Sequence, residues 1–153
     1  MVTVVLELPL DRQESERLLA FCRECGVDCF AVDFTYWEVQ QRDQIEVNFF
    51  DRLLPSRVSP RLLERTVVYA GRERFVLTEC WSLNDETIRL ILAACDGSLS
   101  NDAQGQTPED WRFYRNDKLF LGFVSHEHYA FLQFSEQEAA KFKQLGIPHS
   151  VQE

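Results

Sequence analysis

The sequence predicts an α+β fold, a single domain with a largely antiparallel sheet and about three helices. Its 153 residues fit one domain of ordinary size. Runs rich in β-branched and aromatic residues recur along the chain, and most links between them are too short for parallel crossovers. Apolar residues at helical spacing, each set preceded by a capping signal, interrupt these runs at three places.

The chain opens with a predicted strand followed by a predicted helix. Residues 2–9 read VTVVLELP, a β-branched run typical of a strand. Asp11 and Glu14 have the spacing of a capping box, so we expect the first helix to begin there. Gly26 follows the last apolar residue of the helical stripe and is placed to end the helix.

The middle of the chain predicts strands around one short helix. Residues 29–39 and 45–50 have the composition of two strands joined by a polar turn. Ser59 before Pro60 is typical of a helix start, since proline is favoured at the first helical position. Residues 66–81 then predict a hairpin.

The second half predicts a helix, a loop, a three-stranded meander and a last helix. Asn84 is placed to cap the helix that Gly97 ends. The polar stretch 96–110 predicts a mobile loop, since uninterrupted loops of this length are often functional or disordered. After the meander, Ser135 and Glu138 have capping-box spacing.

The predicted domain therefore spans residues 1–147, and residues 148–153 are expected to form a frayed tail. The order of elements suggests two loosely similar β-α-β-β units, although no residue-level repeat supports a duplication. The Phe-rich closing strands are candidates for an unpaired sheet edge that would form a homodimer.

Composition argues against several classes of function. With 25 acidic and 16 basic residues the net charge is −9, which disfavours nucleic-acid binding because that depends on basic groups neutralising phosphates. We see neither a signal peptide nor an apolar run of about 20 residues, so membrane insertion is not expected. An odd count of five cysteines favours reduced thiols and a cytoplasmic location. No phosphate-binding glycine motif is present, and no cofactor is predicted.

Two histidines flank Glu127 in the stretch GFVSHEHYAF. If the chain were a continuous strand here, His126 and His128 would share one face and supply half of a metal site. A turn between two strands, with both rings at the surface, is the favoured interpretation. A metal site at these two residues is the alternative.

Three cysteines lie close together in CRECGVDC. Cys22 and Cys25 have the CxxC spacing of redox and zinc sites, but they lie at the end of the predicted helix, where the dipole disfavours a thiolate. We therefore interpret them, and the other cysteines, as buried free thiols.

An acidic band beside two aromatic residues is the predicted partner-binding surface. Six acids and one base occur between residues 28 and 51, whereas residues 57–74 hold five arginines and two glutamates. Aromatic anchors beside carboxylates suit an interface with a basic protein. The predicted contact residues are Tyr36, Trp37, Glu38, Asp43 and Glu46, with Asp102 as a second contact. The other interpretation of the band is a solvated outer face of the sheet, with Tyr36 and Trp37 in the core.

The sequence thus favours a non-catalytic acidic binding module that regulates, inhibits or helps to assemble a protein partner. Small acidic inhibitors such as immunity proteins have this size and charge, which is an analogy of composition only. A small metal-binding protein or metal-dependent enzyme using His126 and His128 is the alternative function.

Overall fold

An antiparallel sheet forms the scaffold, and helices cover one of its faces. The structure is a computed structural model that describes residues 1–33, 48–65, 73–101 and 108–152. Within these ranges the strands are β1 (Val2–Leu6), β2 (Cys29–Asp33), β3 (Arg57–Glu64), β4 (Phe75–Ser82), β5 (Glu109–Arg115), β6 (Lys118–Val124), β7 (Tyr129–Phe134) and β8 (His149–Gln152). The helices are α1 (Arg12–Glu24), α2 (48–53), α3 (Asp85–Ala94) and α4 (Glu136–Lys143).

The eight strands form one sheet in the order β3-β4-β2-β5-β6-β7-β1-β8, and each neighbouring pair is antiparallel. The predicted α+β class with an antiparallel sheet is therefore confirmed. Three of the helices, α1, α3 and α4, connect strands that are not neighbours in the sheet, so each crosses over its surface.

The helices and one face of the sheet share a core of aromatic rings. Phe21 of α1 lies 5.3 Å from Phe142 of α4 and about as close to Phe120 and Phe134 of the sheet, measured between ring centroids. Ile91 of α3 is fully buried in the same cluster. Burial of these rings, rather than helix propensity, holds the helical layer on the sheet.

Three of the four predicted helix starts are confirmed. The side chain at each N-cap accepts a backbone N–H of the first turn, and the third helical residue bonds back, which completes a capping box. The three pairs are Asp11 with Glu14, Asn84 with Thr87, and Ser135 with Glu138.

The sheet curls at the β3 end until that edge meets the β5–β6 turn. The Glu64 N–H donates to the Asp117 carbonyl at 3.1 Å, and the Leu119 N–H donates to the Glu64 carboxylate at 2.9 Å. The curl encloses a second, smaller apolar cluster on the face opposite the helices, formed by Cys29, Ala31, Leu63, Cys80, Tyr114 and Leu119.

The helix predicted at Ser59 and Pro60 is wrong, because both residues lie in β3. This strand is at the edge of the sheet and its register shifts between Val58 and Arg61. Proline lacks an N–H and is tolerated in strands at such edges and bulges.

The strand predicted at 45–50 is wrong in its described part, since residues 48–53 are helical. The Phe49 ring packs edge-on against Trp111, and Phe50 stacks on Trp81. The remaining predicted residues 34–39, 45–47 and 66–72 lie outside the described residues. The second strand of the predicted hairpin is present as β4.

The predicted frayed tail is also wrong in its described part, residues 148–152. Residues 149–152 form β8, which pairs with β1, and the Glu7 N–H donates to the Pro148 carbonyl at 2.9 Å. β8 covers an edge of β1 that would otherwise be unpaired. The Phe-rich strands β6 and β7 lie inside the sheet, so the predicted edge at these strands is wrong as well.

The loop predicted at 96–110 extends too far, because residues 109 and 110 belong to β5, and the described start of the loop is anchored at the N-terminal end of α1. Ser98 Oγ donates to the Leu10 carbonyl at 2.6 Å, the Leu99 N–H donates to Ser15 Oγ at 3.1 Å, and Leu99 is buried. Among the described residues, no helix has the length and apolar character needed to cross a membrane.

Candidate protein-binding face

A pair of leucines is exposed where the helical layer ends, on β3 and β4. Leu62 lies directly opposite Leu77, and the two residues are 60% and 67% exposed. Successive residues of a strand point to opposite faces, so Leu63 turns into the smaller core and is 1% exposed. Leu54, in the turn before β3, is also exposed.

A cleft of about 460 Å³ lies beside this pair, between the segment 48–56 and the sheet. The Phe50 ring stacks on the Trp81 indole, with 5.1 Å between centroids and planes 22° apart. The residues that line the cleft are Val32, Phe50, Leu54, Arg57, Thr78, Glu79, Trp81 and Arg112. We call the cleft together with Leu62 and Leu77 the β3–β4 face.

The charged groups at the rim of the cleft are paired within the chain. Arg57 Nη2 lies 2.5 Å from Glu79 Oε1, and both side chains are about half exposed. Arg112 Nε donates to the Asp110 carbonyl at 3.2 Å. The rim thus combines a half-exposed ion pair and a second bonded arginine with an apolar floor, which is the composition of many protein interfaces.

Two arginines of the basic segment predicted at residues 57–74 are paired with nearby carboxylates. Arg74 binds Glu64 at 2.6 Å, and Arg61 lies 3.4 Å from Asp28. The change from acidic residues at 28–51 to basic residues at 57–74 therefore does not leave these two arginines as an uncompensated basic patch.

The predicted partner-binding residues all lie outside the described residues. They are Tyr36, Trp37, Glu38, Asp43, Glu46 and Asp102. Their place on a common surface stays a prediction. The described chain reaches Asp33, one residue beyond Val32 at the cleft.

Leu62 and Leu77 were missed as candidate site residues. The helix predicted to begin at Ser59 and Pro60 would include Leu62 and Leu63, and a helix does not alternate its side chains between two faces. An adjacent Leu-Leu pair in a strand must instead send one side chain to each face. Reading residues 62 and 63 as a strand would have shown that one of the two leucines is either exposed or part of a second core.

The histidine-rich stretch forms the predicted turn. Ser125–Glu127 is a single 3₁₀ turn between β6 and β7, and His128 adopts a left-handed conformation with φ 50°. His126 is exposed, and its Nε2 lies 3.7 Å from Glu127 Oε1. Within the described ranges, no three His, Cys, Asp or Glu residues are grouped to hold a metal ion.

The prediction of buried free thiols is confirmed for four of the five cysteines, and Cys25 is half-buried. Burial is the main cause that raises the pKa of Cys29 to about 12, and neighbouring Cys80 adds to it. Arg61 Nη2 lies 2.6 Å from Cys29 Sγ and acts in the opposite direction. Burial likewise raises the pKa of Cys25 to about 11.

No protein-family model, curated protein or solved structure matches this chain.

Proposed function

We propose that this chain is a non-catalytic binding module that engages a basic protein through the β3–β4 face. The single observation that carries the proposal is the exposed cross-strand pair Leu62–Leu77 beside the cleft. A regulator, an inhibitor or an assembly factor of the cytoplasm would each use such a module.

The apolar contact supplies the affinity in this proposal. Covering two leucines that are more than half exposed releases about 1 kcal/mol each. The cleft next to them offers a stacked aromatic floor of Phe50 and Trp81 to a partner side chain. Interface energy is typically concentrated in a few such apolar anchors.

In this proposal the net charge determines which class of protein binds. A chain with a charge of −9 attracts basic proteins over distances of about one Debye length and repels acidic ones. The acidic and aromatic residues predicted from the sequence would extend the contact. Those residues are Tyr36, Trp37, Glu38, Asp43, Glu46 and Asp102.

The partner is expected to lie on the face and not to extend the sheet at β3. Pro60 cannot donate to an added strand, and the register shift between Val58 and Arg61 bends the edge. Natural sheets use these two features to prevent edge pairing.

The alternative, a metal-dependent activity at His126 and His128, gains no supporting observation from the described residues. The two histidines lie on a surface turn, and within the described part of the chain the carboxylate close to His126 is that of Glu127, its neighbour in sequence. Metal binding at this turn therefore stays a prediction that a chelator titration tests.

Site-specific photocrosslinking tests the proposed function. A photoreactive phenylalanine replaces Leu77 in the full chain expressed in its own host, and Arg89, an exposed residue of α3, is the matched control position. We expect one adduct with a basic protein from position 77 only. The adduct should weaken at about 0.5 M salt, because the Debye length then falls well below 10 Å.

A second variant completes the test. It combines the photoreactive residue at position 77 with Leu62→Asp, which places a charge at the cross-strand partner of the probe. We expect it to abolish the adduct. The same adduct from position 89, an acidic partner, or an adduct that Leu62→Asp does not reduce would each contradict the proposal.

A further inference from the structure

The two edges of the sheet differ in how well they are protected against pairing with another strand. β3 carries Pro60, two arginines and a register shift. β8, at the other edge, reads HSVQ and contains no proline or Lys, Arg, Asp or Glu. Its register with β1 is regular through all four residues. An edge strand without these features is a template for another strand.

The hydrogen-bond pattern shows which groups of β8 face outward. Glu7 and Pro148 form a hydrogen-bonded pair, because the Glu7 N–H donates to the Pro148 carbonyl. Bonded and non-bonded pairs alternate along an antiparallel ladder. Ser150 therefore directs its backbone groups toward β1, whereas His149 and Val151 direct theirs away from it.

We infer that β8 pairs with β8 of a second copy of this chain, antiparallel, about a two-fold axis through Ser150. In this register His149 lies opposite Val151 of the second copy. The outward N–H and C=O groups of both residues then find partners in each copy, which forms four hydrogen bonds across the axis. The two sheets join into one continuous sheet.

The side chains of β8 favour the same arrangement. Val151 lies opposite Val4, a core residue, so it is on the helix-bearing face, yet it is 60% exposed. The His149 ring packs on Phe142 of α4, with 5.1 Å between centroids. In the dimer, Val151 is covered by this His149–Phe142 pair of the second copy.

The charges of α4 are complementary under the same two-fold axis. Exposed Glu136 lies in its first turn, and exposed Lys141 and Lys143 lie in its last turn. Because the two-fold axis is perpendicular to the sheet, the two copies of α4 are antiparallel. The acidic start of one helix therefore faces the basic end of the other, and like charges are kept apart.

Sedimentation velocity of the full chain tests this dimer. Because the paired edges are short, we expect a dissociation constant of about 10 µM, so the mass should rise from 17.9 kDa toward twice that value with concentration. Val151→Pro removes an N–H that points away from β1. It should raise the dissociation constant at least about 30-fold, with an unchanged circular dichroism spectrum.

Val151→Thr keeps both the N–H and the β-branched shape, and it is expected to dimerise like the wild type. Val151→Lys is a second disrupting variant that keeps the backbone N–H. Wild-type chain that stays monomeric at about 200 µM would overturn the inference, as would a Val151→Pro chain that dimerises as tightly as the wild type.

Exchange of charges on α4 tests the second contact separately. Lys143→Glu is expected to weaken the dimer about tenfold at low salt, and Glu136→Lys combined with Lys143→Glu is expected to restore it. A double variant as weak as the single one would place α4 outside the interface.

Discussion

Arg115 joins the end of α1 to the beginning of α4 through Glu138. Its Nη1 donates to the Cys25 carbonyl at 2.8 Å and to the Glu138 carboxylate. The guanidinium also lies over the Phe120 ring, 4.8 Å from the centroid. Glu138 in turn accepts the Ser135 N–H at 2.8 Å and so closes the capping box of α4. One mostly buried ion pair thus fixes two helix ends.

Glu138→Gln should destabilise the chain by about 1–2 kcal/mol, because it weakens both the ion pair and the capping box. Urea unfolding followed by circular dichroism measures the change. Glu136→Gln is the matched control in the same helical turn, where the carboxylate is exposed. Its effect should stay below about 0.5 kcal/mol. Equal effects of the two variants would contradict the role given to Arg115.

The same pair predicts how stability depends on pH. The hydrogen bond from Arg115 is the main cause that lowers the pKa of Glu138 to about 2, against the opposing effect of burial. A carboxyl group with a lowered pKa in the folded state stabilises it fully above the unfolded pKa near 4.5. That stabilisation is lost as pH falls toward 2.

Between pH 7 and pH 2.5 the wild type should lose about 2 kcal/mol more than Glu138→Gln, as measured by denaturant titration at each pH. Parallel losses in the two proteins would show that Glu138 does not titrate in this way.

The elements that could be predicted from the sequence are those determined by a few residues close together in the chain. The three capping boxes each lie within four residues, and the turn at Asn116 and Asp117 uses two residues that tolerate positive φ. The errors concern elements decided by distant packing. Pro60 is compatible with a strand only because β3 is an edge strand, and β8 forms only because β1 has an open side.

The candidate site was less predictable for the same reason. Whether Leu62 or Leu63 is buried depends on how the sheet curls, and the curl depends on the contact between Glu64 and Asp117. No pattern within β3 contains that information. The histidine turn, in contrast, was predictable because its polar residues stand between two long apolar runs.

Adjacent leucines of β3 should respond oppositely to truncation. Leu63→Ala removes a buried side chain from the smaller core and should cost about 2–4 kcal/mol. Leu62→Ala removes an exposed one and should change stability by less than about 0.5 kcal/mol. Thermal and urea unfolding of the two variants measures this contrast. Similar losses would show that Leu62 is covered in solution, by another copy or by the chain itself.

The thiols should react in order of their exposure. At pH 8 we expect maleimide to label Cys25 first, and slowly, because burial and the nearby Glu138 raise the pKa of this half-buried thiol to about 11. Cys29 and Cys95 should react only after unfolding, since burial raises the pKa of each to about 12. Peptide mass spectrometry locates the label, and Cys25→Ser serves as the control. Rapid labelling of Cys29 in the folded chain would contradict this order.

Trp111 has a buried indole N–H for which no acceptor lies within reach in the described structure, and the residue is fully buried. An unsatisfied donor of this kind costs about 1–3 kcal/mol. Trp111→Phe removes that cost while leaving a small cavity, so we expect a net change within about 1 kcal/mol. Phe113 stacks on Trp111 from the same face of β5. Phe113→Leu leaves a cavity without removing an unsatisfied polar group, so it should lower the free energy of unfolding by more than Trp111→Phe does. Urea unfolding of both variants decides the matter. A larger loss for Trp111→Phe would mean that the indole N–H has a bonding partner in solution, such as a buried water molecule.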